Sequence, residues 1–170
     1  DNDTVLAWKS DDVSKRMRGL PNTSLRMVIE RTGVDSLIEV NIMRRIITRN
    51  PVVHYGTVAD GVGYILLETF SDKAADEVRK AFIELKEKNH ITSLILDLRD
   101  NGGGLVGEAV DILSMFVPRG TTVLESRGKD ADGNHVYKTN REPIDTQIPL
   151  VVLINGYTAS SSEVVAGALQ

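Results

Sequence analysis

Apolar and polar positions alternate in two stretches between residues 25 and 42 with the two-residue period of a β-strand. Two sets of apolar residues follow this alternation: Leu25, Met27 and Ile29, then Ile38, Val40 and Ile42. A turn is expected at Thr32-Gly33, and Thr4–Trp8 is predicted to form another short strand. A helix of about two turns is expected after that strand, with Ser10 as its N-cap and Gly19 as its stop. The segment is therefore predicted to be a small β-rich module with one helix.

A second hairpin and a longer helix are predicted next. Asp60-Gly61 lies between two apolar stretches, His54–Val58 and Tyr64–Glu68, and this dipeptide is typical of a hairpin turn. Ser71 is expected to cap the following helix, whose apolar residues recur at helical spacing on one face. These residues are Val78, Ala81, Phe82 and Leu85.

Beyond residue 90 the pattern becomes one of buried strands separated by helical segments. Leu94–Leu98 and Leu150–Ile154 are near-continuous apolar runs, which predict strands buried on both faces. A helix between them has four apolar residues on one side: Val106, Val110, Leu113 and Val117. Thr121–Glu125 and His135–Lys138 predict a peripheral hairpin around the polar turn Lys129–Gly133. The order predicts an α/β (or α+β) core with parallel β-α units, whose loops gather at the C-terminal ends of the strands.

The composition is that of an ordinary globular chain and excludes several functions. Of the 170 residues 41% are hydrophobic, which is enough for one domain and part of a second. The net charge is −4, with cations and anions interleaved, and gives no case for nucleic acid or an anionic membrane as a partner. No apolar run approaches the roughly 20 residues that span a bilayer. Without cysteine or clustered histidines, neither a metal nor a cofactor is expected.

Two loops at strand ends carry the candidate chemistry. Ser160 follows the last predicted strand and opens a helix, where unpaired N–H groups and the helix dipole stabilise an oxyanion. The other loop, residues 99–105, contains Gly103 and Gly104, which allow close approach of a backbone amide. If the two strands are neighbours, one of these amides and that of Ser161 form a two-donor oxyanion hole. Simple helix capping by the serines and a simple turn at the glycines are the competing interpretations.

The glycine loop is also compatible with a nucleotide site. Three glycines satisfy the pattern G-x-G-x-x-G: Gly102, Gly104 and Gly107. Glu125 stands about 20 residues further on, as in a dinucleotide-binding unit. Residues 99–101 separate the strand from the first glycine and two aspartates lie nearby, and both features count against a pyrophosphate site. Asp97 and Arg99 are expected to pair across the strand end and hold the loop.

Three segments follow one another in the chain: residues 94–105 (LILDLRDNGGGL), 149–155 (PLVVLIN) and 158–170 (TASSSEVVAGALQ). Together they closely resemble the C-terminal processing (tail-specific) serine proteases. The usual strings of that family are D-L-R-x-N-x-G-G and S-A-S-A-S-E-I-x-A-G-A-L, and the nucleophile is the serine three positions before the glutamate. The resemblance therefore implies that Ser160 is the nucleophile. The sequence departs from the family strings at two positions: Ser161, where alanine is usual, and Thr158, where serine is usual.

The resemblance covers nearly the whole chain. Residues 3–29 resemble the second half of a PDZ domain. The resemblance implies three parts: residues 1–32 as the C-terminal part of a PDZ-like domain, 33–63 as connecting strands and hairpin, and 64–170 as a protease core. In the family the PDZ module engages the C-terminal tail of the substrate by strand addition, so protein and peptide tails are the expected partners.

The resemblance also implies a Ser/Lys mechanism, in which a lysine of lowered pKa takes the serine proton. That lysine is expected beyond Gln170, so the chain is expected to be a truncated core that is inactive or nearly so. A non-catalytic peptide- or ligand-binding protein on the same scaffold is the alternative. Because family members usually act outside the cytoplasm, an exported location, periplasmic or in the cell envelope, is expected.

Overall fold

A computed structural model of the chain describes residues 4–5, 7–47, 50–129 and 133–170. Two compact units make up the chain, Asp1–Arg49 and Asn50–Gln170. The boundaries predicted after residues 32 and 63 cut across both units. The boundary predicted after residue 32 separates two strands that pair with each other, and the one predicted after residue 63 falls inside a strand of the second unit. The PDZ-like character of the first unit stays a prediction.

The first unit contains helix α1 (Ser10–Met17) and strands β1 (Ser24–Ile29) and β2 (Ile38–Met43). The two strands form an antiparallel pair in which Ile29 faces Ile38. Along β1 half-buried and exposed residues alternate, as the sequence pattern predicts. The predicted hairpin around residues 32–33 is therefore confirmed.

Two local predictions in this unit are wrong. No strand forms in the described part of Thr4–Trp8, where the N–H of Trp8 instead closes a turn on the carbonyl of Val5 at 3.0 Å; Leu6 lies outside the described residues. The N-cap of α1 is Lys9 rather than Ser10, because the carbonyl of Lys9 accepts the first helical hydrogen bonds. At the other end the guanidinium of Arg44 donates to the carbonyl of Met17 at 2.7 Å, so a distant side chain caps the helix.

The second unit is built on a mixed four-stranded sheet. Its strands are β3 (Val52–Ala59), β4 (Val62–Leu67), β5 (Ser93–Asp97) and β8 (Leu150–Leu153), in the order β3-β4-β5-β8. β3 and β4 form the predicted antiparallel hairpin, whereas β4, β5 and β8 run parallel. The crossovers contain helices α2 (Ala74–Asn89) and α3 (Val106–Leu113) and the antiparallel pair β6 (Thr122–Ser126) and β7 (His135–Lys138). Helix α4 (Ser161–Leu169) follows β8.

One hydrophobic core lies between this sheet and the helices. Its buried residues come from strands β4 and β5 and from the faces of α2 and α3. They include Ile65, Leu67, Leu94, Leu96, Val78, Ala81, Phe82, Leu85, Ile112 and Leu113. The predicted apolar face of α2 is thus buried as expected, and it fixes the sheet that carries both candidate loops. None of the helices in the described ranges is long and apolar enough to cross a membrane.

The predicted cap of α2 is wrong. Ser71 lies outside the helix, and Lys73 occupies the N-cap position with φ 69° and no hydrogen bond from its own side chain. The carboxylate of Glu108, from α3, accepts the N–H groups of Lys73 at 3.3 Å and of Ala75 at 2.7 Å. A carboxylate at a helix N-terminus satisfies unpaired donors and complements the helix dipole, so Glu108 replaces the local cap.

Strand β8 is less buried than its sequence predicts. It lies at the end of the strand order, and among the described strands its one neighbour is β5. Val151 is consequently 54% exposed, and Ile154, just beyond the strand, is 57% exposed. An apolar run is typical of a central parallel strand, but burial depends on neighbours that the run itself does not specify.

Candidate active site

The two candidate loops lie side by side because β5 and β8 are parallel neighbours. Asp97 ends β5 opposite Leu153 of β8, so both chains leave the sheet at the same edge. Hydrogen bonds then tie the loops together. Thr158 Oγ1 donates to the carbonyl of Leu98 at 2.8 Å, and the N–H of Asp100 donates to Asn155 Oδ1 at 3.0 Å.

The glycine loop is held from its other side by the segment that follows β4. The N–H of Phe70 donates to the carbonyl of Gly103 at 3.0 Å, and the N–H of Leu105 donates back to the carbonyl of Phe70 at 2.7 Å. Gly104, between them, has φ 146°. A Cβ at this position would lie 2.4 Å from the carbonyl oxygen of Phe70, so the close approach of the two segments requires glycine.

Ser160 has a strained backbone at the start of helix α4. Its φ of 56° and ψ of −120° are those of the first central position of a type II′ turn, which glycine normally occupies. Such a conformation costs about 1–3 kcal/mol in a residue that has a Cβ, and it persists only where the surroundings impose it. Glu163 contributes to this, because its carboxylate accepts the N–H of Ser160 at 2.8 Å. Ser160 itself is exposed, so a substrate has access to this residue.

The structure brings Ser160, Ser161 and Gly103 into contact. A Cβ on Gly103, which has φ 96°, would lie 2.8 Å from Ser160 Cβ, 2.8 Å from the carbonyl oxygen of Ala159 and 2.9 Å from the nitrogen of Ser161. The hydroxyl of Ser161, a group that alanine would lack, donates to the carbonyl of Gly104 at 2.9 Å. The serine turn and the glycine loop therefore form one continuous surface at the strand ends.

The amides near Ser160 differ in whether they are free to donate. The N–H of Ser161 and that of Gly104 have no hydrogen-bond partner among the described residues. The N–H of Gly103 donates instead to Asn101 Oδ1 at 2.9 Å. Among the described residues Ser161 and Gly104 thus offer the unpaired donors, whereas the amide of Gly103, the other glycine candidate, is already paired.

Asn101 is a residue of this site that the sequence interpretation did not single out. This polar residue belongs to the glycine loop and is fully buried where that loop meets the serine turn. The signal was its position: a lone asparagine between a buried strand and a run of glycines has local backbone groups to bind, which is a common role of asparagine in turns.

Asp97 and Arg99 form the ion pair expected from their spacing. Asp97 is 1% exposed, and its two carboxylate oxygens accept hydrogen bonds from Arg99 Nε at 2.9 and 3.0 Å. The hydroxyl of Tyr64 donates to Asp97 Oδ2 at 2.6 Å. The Arg99 hydrogen bonds, aided by Tyr64 and opposed by burial, lower the pKa of Asp97 from 3.8 to about 2. This pair fixes the start of the glycine loop, which is a structural role.

The low pKa of Asp97 predicts a specific loss of stability in acid. A carboxyl that is more acidic in the folded state stabilises the fold above its unfolded pKa, and this stabilisation is lost as the pH falls from about 4 to about 2. The shift corresponds to about 2 kcal/mol. Urea unfolding followed by circular dichroism checks this for the wild type and for Asp97→Asn. We expect the wild type to lose its advantage over the variant across this range, and a difference that stays constant with pH contradicts the prediction.

The nucleotide interpretation is not supported by the strand arrangement. Glu125 lies on β6, which pairs with β7 in a separate two-stranded sheet, whereas the neighbours of β5 are β4 and β8. A dinucleotide unit needs the acidic residue at the end of the adjacent parallel strand. Among the described residues, no group of three or more histidine, aspartate or glutamate side chains is placed to hold a metal ion. Within the same ranges no lysine or histidine hydrogen-bonds to the hydroxyl of Ser160.

Comparison with known proteins gives one consistent result. The model of peptidase family S41 matches residues 61–170. The chain is 35% identical over 184 residues to the chloroplastic C-terminal processing peptidase of Tetradesmus obliquus. This alignment covers all of the present chain and 39% of the relative. It is 37% identical over 163 residues to the carboxyl-terminal-processing protease of Synechocystis sp., in an alignment that covers 94% of the present chain and 37% of the relative.

Solved structures agree with the sequence comparison. The photosystem II D1 C-terminal processing protease superposes with a TM-score of 0.62 and 34% identity, over 93% of this chain and 44% of that protein. The chain therefore spans about two fifths of the length of the relatives that it matches.

Proposed function

The chain belongs to peptidase family S41, and on that premise we propose that it forms the nucleophile-bearing part of a serine endopeptidase that cleaves proteins near their C-termini. One observation carries the proposal. Ser160 is exposed and strained at the N-terminus of α4, in contact with a glycine loop whose close approach requires the absence of a Cβ. Ser160 also forms a capping box with Glu163, but a helix cap alone does not need strain of this kind, which collects at functional sites.

In the proposed reaction Ser160 Oγ attacks the carbonyl carbon of the scissile peptide bond. The negative charge that develops on the carbonyl oxygen is stabilised by the N–H of Ser161 and by an amide of the glycine loop. The serine proton passes to a lysine and then to the leaving amine. An acyl-enzyme remains, which water hydrolyses with the same lysine as base.

The proposed base is a lysine outside residues 1–170, and "full-length protein" below means a polypeptide that contains both this chain and that lysine. Two facts support this: the family resemblance described above, and the absence of a lysine bonded to Ser160 in the described part of the chain. Burial of the amine, or a neighbouring cation, lowers the pKa of such a lysine until the neutral form can accept a proton.

The proposed substrates are proteins and peptides held by their C-terminal tails. Both relatives named above are C-terminal processing enzymes by name. The first unit, Asp1–Arg49, is proposed to be part of a PDZ-like module that binds these tails, since its β1–β2 pair has strand edges to which an extended peptide could add. An exported, cell-envelope location is proposed from the family resemblance.

Labelling with a fluorophosphonate tests the proposed function, because this reagent modifies only an activated serine. We expect the full-length protein to be labelled at Ser160, and the 170-residue chain, without its base, to be labelled at least 100-fold more slowly. Mass spectrometry of the tryptic peptides identifies the modified residue. A full-length protein that stays unlabelled but binds C-terminal peptides would be a binding protein on the same scaffold, and the proposed reaction would be rejected.

A further inference from the structure

Asn101 stands out in the candidate site because it is fully buried and yet has all its polar groups paired. Its side-chain Nδ2 donates to the carbonyl of Leu67 at 2.8 Å, and its Oδ1 accepts the N–H of Gly103 at 2.9 Å. Its backbone carbonyl accepts the N–H of Ala159 at 3.1 Å and the hydroxyl of Ser162 at 2.9 Å. A single residue thus makes four hydrogen bonds besides the one from its own N–H.

These four partners belong to three different segments. Leu67 is the last residue of β4, Gly103 belongs to the glycine loop, and Ala159 and Ser162 flank the proposed nucleophile. The distance between the glycine amides and Ser160 therefore depends on where the Asn101 backbone sits, and the Asn101 side chain fixes that position against β4.

The side-chain bonds of Asn101 need a group that donates and accepts at the same time. An amide supplies both functions in one plane. An aspartate at this position accepts from Gly103 but, when ionised, places a second acceptor against the carbonyl of Leu67. Alanine leaves both partners buried without a hydrogen bond, which destabilises the folded loop.

We propose that Asn101 is a positioning residue for acyl transfer, which sets the glycine-loop amides against the Ser160 turn. The inference rests on the proposed function. By holding the N–H of Gly103, Asn101 Oδ1 fixes the loop conformation in which the neighbouring amide of Gly104 has no hydrogen-bond partner in the described part of the chain. Its backbone carbonyl secures the turn on both sides of Ser160. Asn101 acts through these groups and touches no substrate.

Asn101→Asp in the full-length protein tests the proposal, with Ser114→Ala as the matched control. Ser114 is also buried, and its hydroxyl bonds Val110 and Asn140, outside both loops. We expect Asn101→Asp to lower kcat about 100-fold or more while KM changes less than about threefold, since loss of an oxyanion donor costs about 10²–10³ in kcat. Ser114→Ala is expected to lower the melting temperature but keep kcat within about twofold.

The pH profile separates positioning from a general loss of stability. A protonated aspartic acid at position 101 regains a donor for Leu67 while still accepting from Gly103. The ratio of kcat between Asn101→Asp and the wild type is therefore expected to rise at least about tenfold from pH 8 to pH 5. A flat ratio, or a kcat that stays within about threefold of the wild type at pH 8, overturns the proposal. If Asn101→Asp does not fold at neutral pH, Asn101→Ala is judged by the same kcat and KM criterion.

Failure of the proposed function is distinguishable from failure of this inference. If the wild-type full-length protein shows no activity that depends on Ser160, amide hydrogen exchange decides the positioning role alone. The amides of Gly103 and Ala159 are then expected to exchange at least about tenfold faster in Asn101→Ala than in Ser114→Ala. Equal exchange in the two variants overturns the inference.

Discussion

Replacing Ser160 with alanine is expected to lower kcat for peptide hydrolysis by the full-length protein by about 10⁴-fold or more, to the level of background. Loss of a serine nucleophile has effects of this size because the residues of the catalytic set act as a unit. Fold stability should fall by about 1 kcal/mol, since alanine meets the same backbone strain at φ 56° but lacks the hydroxyl of the Ser160–Glu163 capping box. Hydrolysis of a peptide with a free C-terminus, measured by mass spectrometry, checks the result.

Two variants make the Ser160 result specific. Ser161→Ala removes only the hydroxyl that bonds the carbonyl of Gly104 and keeps the backbone N–H, so kcat is expected to fall less than about tenfold. Ser160→Gly also abolishes hydrolysis but relieves the positive φ, and it is expected to raise the free energy of unfolding by about 1 kcal/mol. A Ser160→Ala protein that retains a tenth of wild-type activity means that another residue is the nucleophile.

Replacing Gly103 with alanine is expected to lower kcat by about 10²–10³-fold, the second largest effect, although the glycine has no side-chain chemistry. The new Cβ would lie 2.8 Å from Ser160 Cβ and from the carbonyl oxygen of Ala159, so the serine turn must move away from the glycine loop. The positive φ adds strain, and we expect a loss of about 1–3 kcal/mol in unfolding free energy.

Gly102→Ala is the matched control for this change. Gly102 immediately precedes Gly103, yet a Cβ there meets no atom within 4 Å and its φ lies outside the left-handed region. We expect its kcat to stay within about threefold of the wild type. If the two variants lose activity equally, flexibility of the whole glycine run matters rather than the contact between Gly103 and Ser160.

Much of the second unit could be predicted from apolar periodicity. The buried face of α2, the hairpin of β3 and β4 and the buried strand β5 all follow patterns in which local spacing and burial agree. The meeting of the two loops could be predicted only on the condition that β5 and β8 are neighbours, and the structure supplies that condition.

Most of the features that could not be predicted depend on partners distant in the chain. Ser10 and Ser71 are of a residue type that often caps helices. In the structure Lys9 is the N-cap of α1, and the carboxylate of Glu108 binds the first amides of α2. The apolar run of β8 does not reveal that it lies at a sheet edge. Asn101 looks like a turn residue until its bond to Leu67, 34 residues earlier, is known.

The bonds between the glycine loop and the serine turn bear on synthesis of the protein. Ser162 binds Asn101 across 61 positions and Thr158 binds Leu98 across 60. A ribosome that adds roughly 5–20 residues per second therefore leaves the loop without its partner for roughly 3–12 s. During that interval the proposed nucleophile and the glycine-loop amides proposed to assist it are not yet assembled in the nascent polypeptide.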